Sequence, residues 1–297
     1  MSEIRQIVLT AVTNFRGWRK NPKVILSFCF AFIICFLLSD KVLMFSERHN
    51  TSLQILEPFI WTFGDAGSVM LISLPLLLLF SDVPDLNNHV PFFLIRINRK
   101  IWMLGQIFYM MMATFIFMMF VLVSTCLLAE HRVYTANMWS NTAAILGYSK
   151  IGNEIAVPAF VKVLELSFPY GCMIHIFGLM MGYSLILSGI VLLLNLFKKN
   201  AGMIGGIVFS GFGIVLTPDI VAKWFSIGRE KMNIANIIFG WISPLNHATY
   251  YMHNFGYDNL PRLWFSYLFF VIGSIIIFLA AMIRIKRYPF SFTGTTK

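Results

Sequence analysis

Six long apolar runs separated by polar or basic residues set the pattern of this chain. They occupy residues 24–45, 59–80, 101–128, 167–197, 201–217 and 262–283. A helix needs about 20 apolar residues to cross a hydrocarbon core of roughly 30 Å, so the pattern predicts an all-α polytopic membrane protein with six transmembrane helices in a single domain. Ahead of the first run, Ile4, Ile7, Val8, Ala11, Val12, Phe15 and Trp18 recur at helical spacing among Arg5, Gln6, Thr13, Asn14, Arg16 and Arg19. That periodicity predicts an amphipathic helix over residues 1–22, lying in the membrane interface and broken by Pro22.

The intervening segments differ in kind. Residues 81–100 are polar and basic, with two prolines, the Phe92–Phe93 pair, and Arg96, Arg99 and Lys100 on one side of an expected short helix. Residues 39–58 read as a polar outer loop, and residues 129–165 as a longer one with short surface helices. In residues 218–261 the apolar run Ile234–Ile242 is too short to cross and leads into Ser243, Pro244, Asn246 and His247. This predicts an outer re-entrant helix pair before the last span, since broken backbone at membrane depth needs cover from protein or a wet cavity. Within 201–217, Gly202, Gly206 and Ser210 recur every fourth residue, a spacing that predicts close approach of a neighbouring helix.

Composition agrees with lipid as the solvent. Hydrophobic residues make up 58% and charged residues 12% of the 297, with a mean hydropathy of +0.75; a soluble domain carries about 25% charged residues. The net charge of +10 is assigned to Lys and Arg retained on the cytoplasmic side rather than to nucleic-acid binding. With both termini and segment 81–100 cytoplasmic, most of the basic residues fall inside and most of the acidic ones outside. A seventh span would put Arg284, Lys286 and Arg287 outside, against this tendency. Cys29, Cys35, Cys126 and Cys172 all fall in apolar runs and read as small buried hydrophobes. The amino terminus shows no short apolar run followed by a small-residue cleavage site, so no removable signal peptide is expected.

The chain lacks a phosphate-binding Gly-x-x-x-x-Gly-Lys-Ser/Thr loop, a His-Glu-x-x-His pair and a Gly-x-Ser-x-Gly turn. No catalytic, cofactor or metal residues are therefore assigned. Two ionisable groups inside spans still carry a functional reading, because charge at that depth is costly. His175 is a candidate proton relay or intramembrane ligand, against the alternative of a hydrogen-bonded interior histidine. Asp65 is a candidate path residue, against a place at the outer interface beside Trp61. His247 and His253 stand six apart, poor spacing for one helical face.

The order of these parts resembles the membrane subunit of an ABC exporter of the class that moves drugs, polysaccharides and peptides. The closest local likeness is Pro91–Gln106, PFFLIRINRKIWMLGQ, an apolar cluster followed by a basic step and a Trp opening the third span. The run Ser243, Pro244, Leu245, Asn246, His247 is similar to the family's outer motif. The resemblance implies a permease, not an enzyme, paired with a second permease copy or homologue and with a separate ATPase subunit that holds ATP and Mg. It implies ATPase coupling through Val83, Asp85, Pro91, Phe92, Phe93, Arg96, Arg99 and Lys100, and a path or gate that includes Asp65, His175, Pro244, Asn246 and His247. The abundance of Phe, Met and Leu in the spans favours an amphiphilic peptide or drug as cargo. Two rival classes are an ion-gradient-driven secondary transporter, for which no clear inverted repeat is found, and an intramembrane enzyme, for which no convergent catalytic set is found.

Overall fold

The computed structural model describes residues 2–84, 96–129, 132–149, 151–155, 157–198, 200–256 and 258–288, without the side chain of residue 153. Among the described residues the regular structure is α-helix and short 3-10 turns, apart from one parallel pair of two-residue strands, β1 (Leu53–Gln54) and β2 (Val133–Tyr134). Among the described residues, four helices are long and apolar enough to cross a membrane: α2 (Pro22–Arg48), α5 (Arg99–Leu128), α9 (Pro169–Asn195) and α14 (Leu263–Lys286). A fifth crossing is counted if α10 (Ala201–Val215) and α11 (Pro218–Trp224), bent by 86°, form one broken span. The chain thus has the character of a multi-pass membrane protein, its long helices exposing Ile, Leu, Phe and Val outward.

Helix α1 (Glu3–Gly17) packs along the first half of α5. Gly105 makes this possible, since a Cβ there would lie 2.6 Å from Thr10 Cβ. Asn14 Nδ2 donates to Gln106 Oε1 at 2.8 Å, and Trp18 Nε1 donates to the Tyr109 hydroxyl at 2.8 Å. Ile4, Val8, Leu9 and Val12 remain on the open face. Pro22 ends the amphipathic stretch by becoming the first residue of α2, while the Asn21 side chain accepts from Lys23 N–H as its cap.

Three boundaries differ from the sequence pattern. Helix α2 continues to Arg48 through the stretch expected as loop, because Val42, Phe45 and Ser46 are buried there. The expected run 59–80 is two helices, α3 (Glu57–Thr62) and the apolar 15-residue α4 (Ala66–Phe80). The first turn of α5 begins at Arg99, so Arg99 and Lys100 belong to that long helix rather than to a separate one.

The stretch 129–165 folds into the short helices α6 (Asn141–Tyr148), α7 (Ile151–Glu154) and α8 (Val161–Leu166). Helix α9 is the hub, packing on α4, α5, α10 and α14. The small-residue stripe of α10 is used inside the chain: Gly202, Gly206, Ser210 and Gly213 are its buried residues. A Cβ on Gly202 would come within 2.3 Å of the Val191 carbonyl of α9, and one on Gly206 within 2.1 Å of the tip of Leu77 of α4. After α11 come α12 (Met232–Ile242), α13 (Pro244–Ala248) and a 3-10 turn at Tyr250–Met252. Leu216, Val221 and Ala235 form a small core of their own that holds α12 on α11.

Candidate functional site

The basic end of the bundle gathers the start of α2, the end of α4, the start of α5, the α9–α10 turn and the end of α14. Lys23 Nζ pairs with Asp82 Oδ1 at 2.5 Å, a surface ion pair with both side chains more than two-fifths exposed. Asn195, the last residue of α9, is placed more deeply. Its Nδ2 donates to the Val83 carbonyl at 2.7 Å and the Ser81 carbonyl at 3.1 Å, and its Oδ1 accepts from Gly202 N–H at 2.9 Å. One side chain therefore joins the entry of segment 81–100 to the turn between α9 and α10. Val83 is itself buried.

The exit of that segment is held as well. Arg99 Nη1 donates to the carbonyls of Lys286 and Tyr288, each at 3.1 Å. Cations at a helix N-terminus are unfavourable, and cations at a C-terminus are favourable. Arg99 opens α5 yet reaches the carboxyl end of α14, where its charge meets the carbonyls of the helix end. Arg96, Arg99 and Lys100 are all exposed. Nearby, the Arg284 guanidinium of α14 lies 4.6 Å from the centre of the Phe197 ring. Asp85, Pro91, Phe92 and Phe93 lie outside the described residues.

At the opposite end, Asp65 stands between α3 and α4 and accepts from Ser68 N–H at 2.5 Å. Its carboxylate is the N-cap of α4, which gives a local structural reason for an acid at this position. His175 on α9 is part-buried. The Tyr267 hydroxyl stands 3.1 Å from His175 Nδ1 and 3.2 Å from the His175 carbonyl, so ring and backbone share one hydrogen-bonding partner. It is a hydrogen-bonded interior histidine, stacked 5.8 Å from the Tyr250 ring.

Pro244, Asn246 and His247 are buried on α13, with Pro244 in its first turn. Asn246 Nδ2 donates to the Phe239 carbonyl at 3.4 Å, and Ser243 Oγ is 3.5 Å from the Gly213 carbonyl of α10. His247 bonds Ser266 Oγ through Nδ1 at 2.7 Å and the Trp241 carbonyl through Nε2 at 2.9 Å. His253 reaches the same Ser266 Oγ through Nε2 at 2.8 Å. Helical spacing does not relate two histidines across a 3-10 turn, so the sequence pattern passes over this convergence. Ser266 carries no signal of its own beyond being a polar residue in the first turn of an apolar helix.

Glu57, on the short helix α3 and outside the long apolar helices, is fully buried. It accepts from Ser140 N–H at 2.8 Å and Ser140 Oγ at 2.6 Å. Burial is the dominant influence and pushes its carboxyl from an ordinary 4.5 up to about 7, against the opposing pull of these hydrogen bonds. Among the described residues, no three His, Cys, Asp or Glu side chains group to hold a metal ion. No protein-family model, curated protein or solved structure matches this chain.

Proposed function

We propose that this chain is the permease subunit of an ATP-driven ABC exporter, forming half of a translocation path for an amphiphilic peptide or drug. In this reading the six spans are α2, α4, α5, α9, α10 and α14. Both termini and segment 81–100 are cytoplasmic in a cell membrane, and α11 to the 3-10 turn form the outer re-entrant region. A second permease copy or homologue faces this one, and a separate ATPase subunit supplies hydrolysis.

The observation that carries the reading is the double attachment of segment 81–100. Asn195 ties its entry to α9 and α10, and Arg99 ties its exit to α14. A push on this segment reaches α9, α10 and α14 through hydrogen bonds of 2.7, 2.9 and 3.1 Å. That is the mechanical requirement for turning ATPase closure into helix rotation, because coupling needs a packed element whose position both sites bias. Exposed Arg96 and Lys100 stand beside it for acidic groove residues of the ATPase.

The test is purification of the full chain from its native membrane in mild detergent, with partner identification and an ATP hydrolysis assay. Recovery of a stoichiometric ATPase that is lost on Arg96→Glu, with the chain still folded, supports the assignment. Retention of full assembly and hydrolysis by Arg96→Glu removes the coupling role. A chain that purifies alone and moves substrate under an ion gradient makes it a secondary transporter.

A further inference from the structure

The break region between α10 and α14 contains two histidines that share one serine. His247, His253 and Ser266 are each 0% exposed. Four contacts connect them to one another and to backbone. His247 Nδ1 and His253 Nε2 lie 2.7 and 2.8 Å from Ser266 Oγ, while His247 Nε2 lies 2.9 Å from the Trp241 carbonyl and His253 Nδ1 lies 3.0 Å from the Tyr250 carbonyl.

Each contact is short enough to be a hydrogen bond, and each needs one hydrogen between its heavy atoms. The carbonyls supply none. A neutral imidazole supplies one N–H, and the serine hydroxyl supplies one more hydrogen. Two neutral rings and one serine thus bring three hydrogens to four contacts, whichever tautomers are chosen. In the neutral site, one contact must set two lone pairs against each other. A fourth hydrogen on either ring completes the set: that ring donates from both nitrogens, Ser266 accepts from it, and Ser266 donates to the other ring.

We propose that His247, Ser266 and His253 form a binding site for a single proton, whose occupancy decides whether the segment from Trp241 to His253 is fully clamped onto the first turn of α14. With the proton bound, all four contacts close. With the proton released to solvent, one contact opens and a ring or the hydroxyl turns away. Burial opposes a charged ring, and completion of the contacts favours it, so the two states differ in structure as well as in charge.

The surrounding groups do not supply the missing hydrogen to Ser266. Lys162 of α8 is paired with Asp258. On the α9 side, Cys172 approaches Tyr250 and His175 is bonded to Tyr267. Asp65 caps α4. Helices α10 and α12 contain no titratable side chain. Phe269 of α14 stacks on His247 at 4.8 Å and closes the apolar side. The inference does not depend on the exporter reading, since it rests on counting hydrogens in one cluster.

The test uses the full chain with nitrogen-15 histidine in lipid bilayers, following ring-nitrogen signals from about pH 5 to about pH 8, a range that brackets an ordinary imidazole. His247→Gln and His253→Gln assign the signals by difference. The expected result is one ring equivalent, shared by these two positions, that passes from doubly protonated to neutral. Ser266→Ala leaves two N–H groups for two carbonyls, so the titrating signal is lost; Ser266→Thr keeps the hydroxyl and keeps the signal. If both assigned rings of the unaltered chain stay neutral across the range, the proposal fails. It fails equally if folded Ser266→Ala titrates like the unaltered chain.

Discussion

Asn195 holds Val83 across a sequence distance of 112 residues by a 2.7 Å hydrogen bond from its side-chain amide to the Val83 carbonyl. The same side chain accepts from Gly202 N–H. Replacing it removes three partners from a part-buried place. Asn195→Ala is expected to cost about 1–3 kcal/mol, the range for leaving buried polar groups unpaired. Asn195→Asp keeps the acceptor toward Gly202 but sets a carboxylate against two carbonyls, so it should be at least as harmful. Thermal unfolding in detergent measures both, and a neutral Asn195→Asp would show that the amide donates little.

Glu57 gives its end of the bundle a defined pH dependence. Its carboxyl titrates near 4.5 when exposed and at about 7 in the folded chain. The folded state therefore holds this proton more tightly. Its contribution to stability is fully present below pH 4.5 and is lost as pH rises to about 7. At roughly 1.4 kcal/mol per unit, the change is on the order of 3 kcal/mol. Glu57→Gln keeps an acceptor for Ser140 N–H and should flatten the stability curve over this window. Unfolding measured at a series of pH values checks it; an unchanged slope in Glu57→Gln would assign the dependence elsewhere.

The glycines of α10 should respond differently to the same methyl group. Gly202 faces the Val191 backbone carbonyl, which cannot yield locally. Gly202→Ala is expected to cost about 1–3 kcal/mol through overpacking. Gly206 faces the tip of Leu77, which can rotate, so Gly206→Ala should cost less. A Cβ on Gly211 would meet nothing within 4 Å. There Gly211→Ala should be neutral or stabilising by about 0.5–1 kcal/mol, the usual helical advantage of Ala. A stability series in which the three are equal would break this account.

The Lys23–Asp82 pair is expected to matter little for stability. Both side chains are 42% and 45% exposed, and exposed pairs contribute about 0–1 kcal/mol. Asp82→Ala should therefore shift thermal unfolding slightly at low salt and less at high salt. A loss well above that range would mean that Asp82 has another partner in the assembled protein.

The sequence by itself determined which stretches are apolar and where several helices begin. Pro22 marks the start of α2 because its missing N–H and fixed φ suit a first turn and not an interior. The Gly202, Gly206 and Ser210 stripe was legible because period four is a property of one helix. The residues of the 81–100 segment were likewise legible as a basic interruption between apolar runs.

Tertiary structure decided what local pattern could not. Ser39 to Arg48 stays helical because Val42 and Phe45 find neighbours to bury against. The run from 59 to 80 divides because Asp65 caps a new helix and Gly64 approaches Pro158, a contact across 94 positions. The joining of His247, His253 and Ser266, and of Asn195 with Val83, depends on chain reversals whose endpoints carry no periodic signal. Apolar periodicity fixes which residues leave water; the pairing of polar groups inside is fixed only when the helices have packed, because each buried donor must then find the acceptor that packing brings to it.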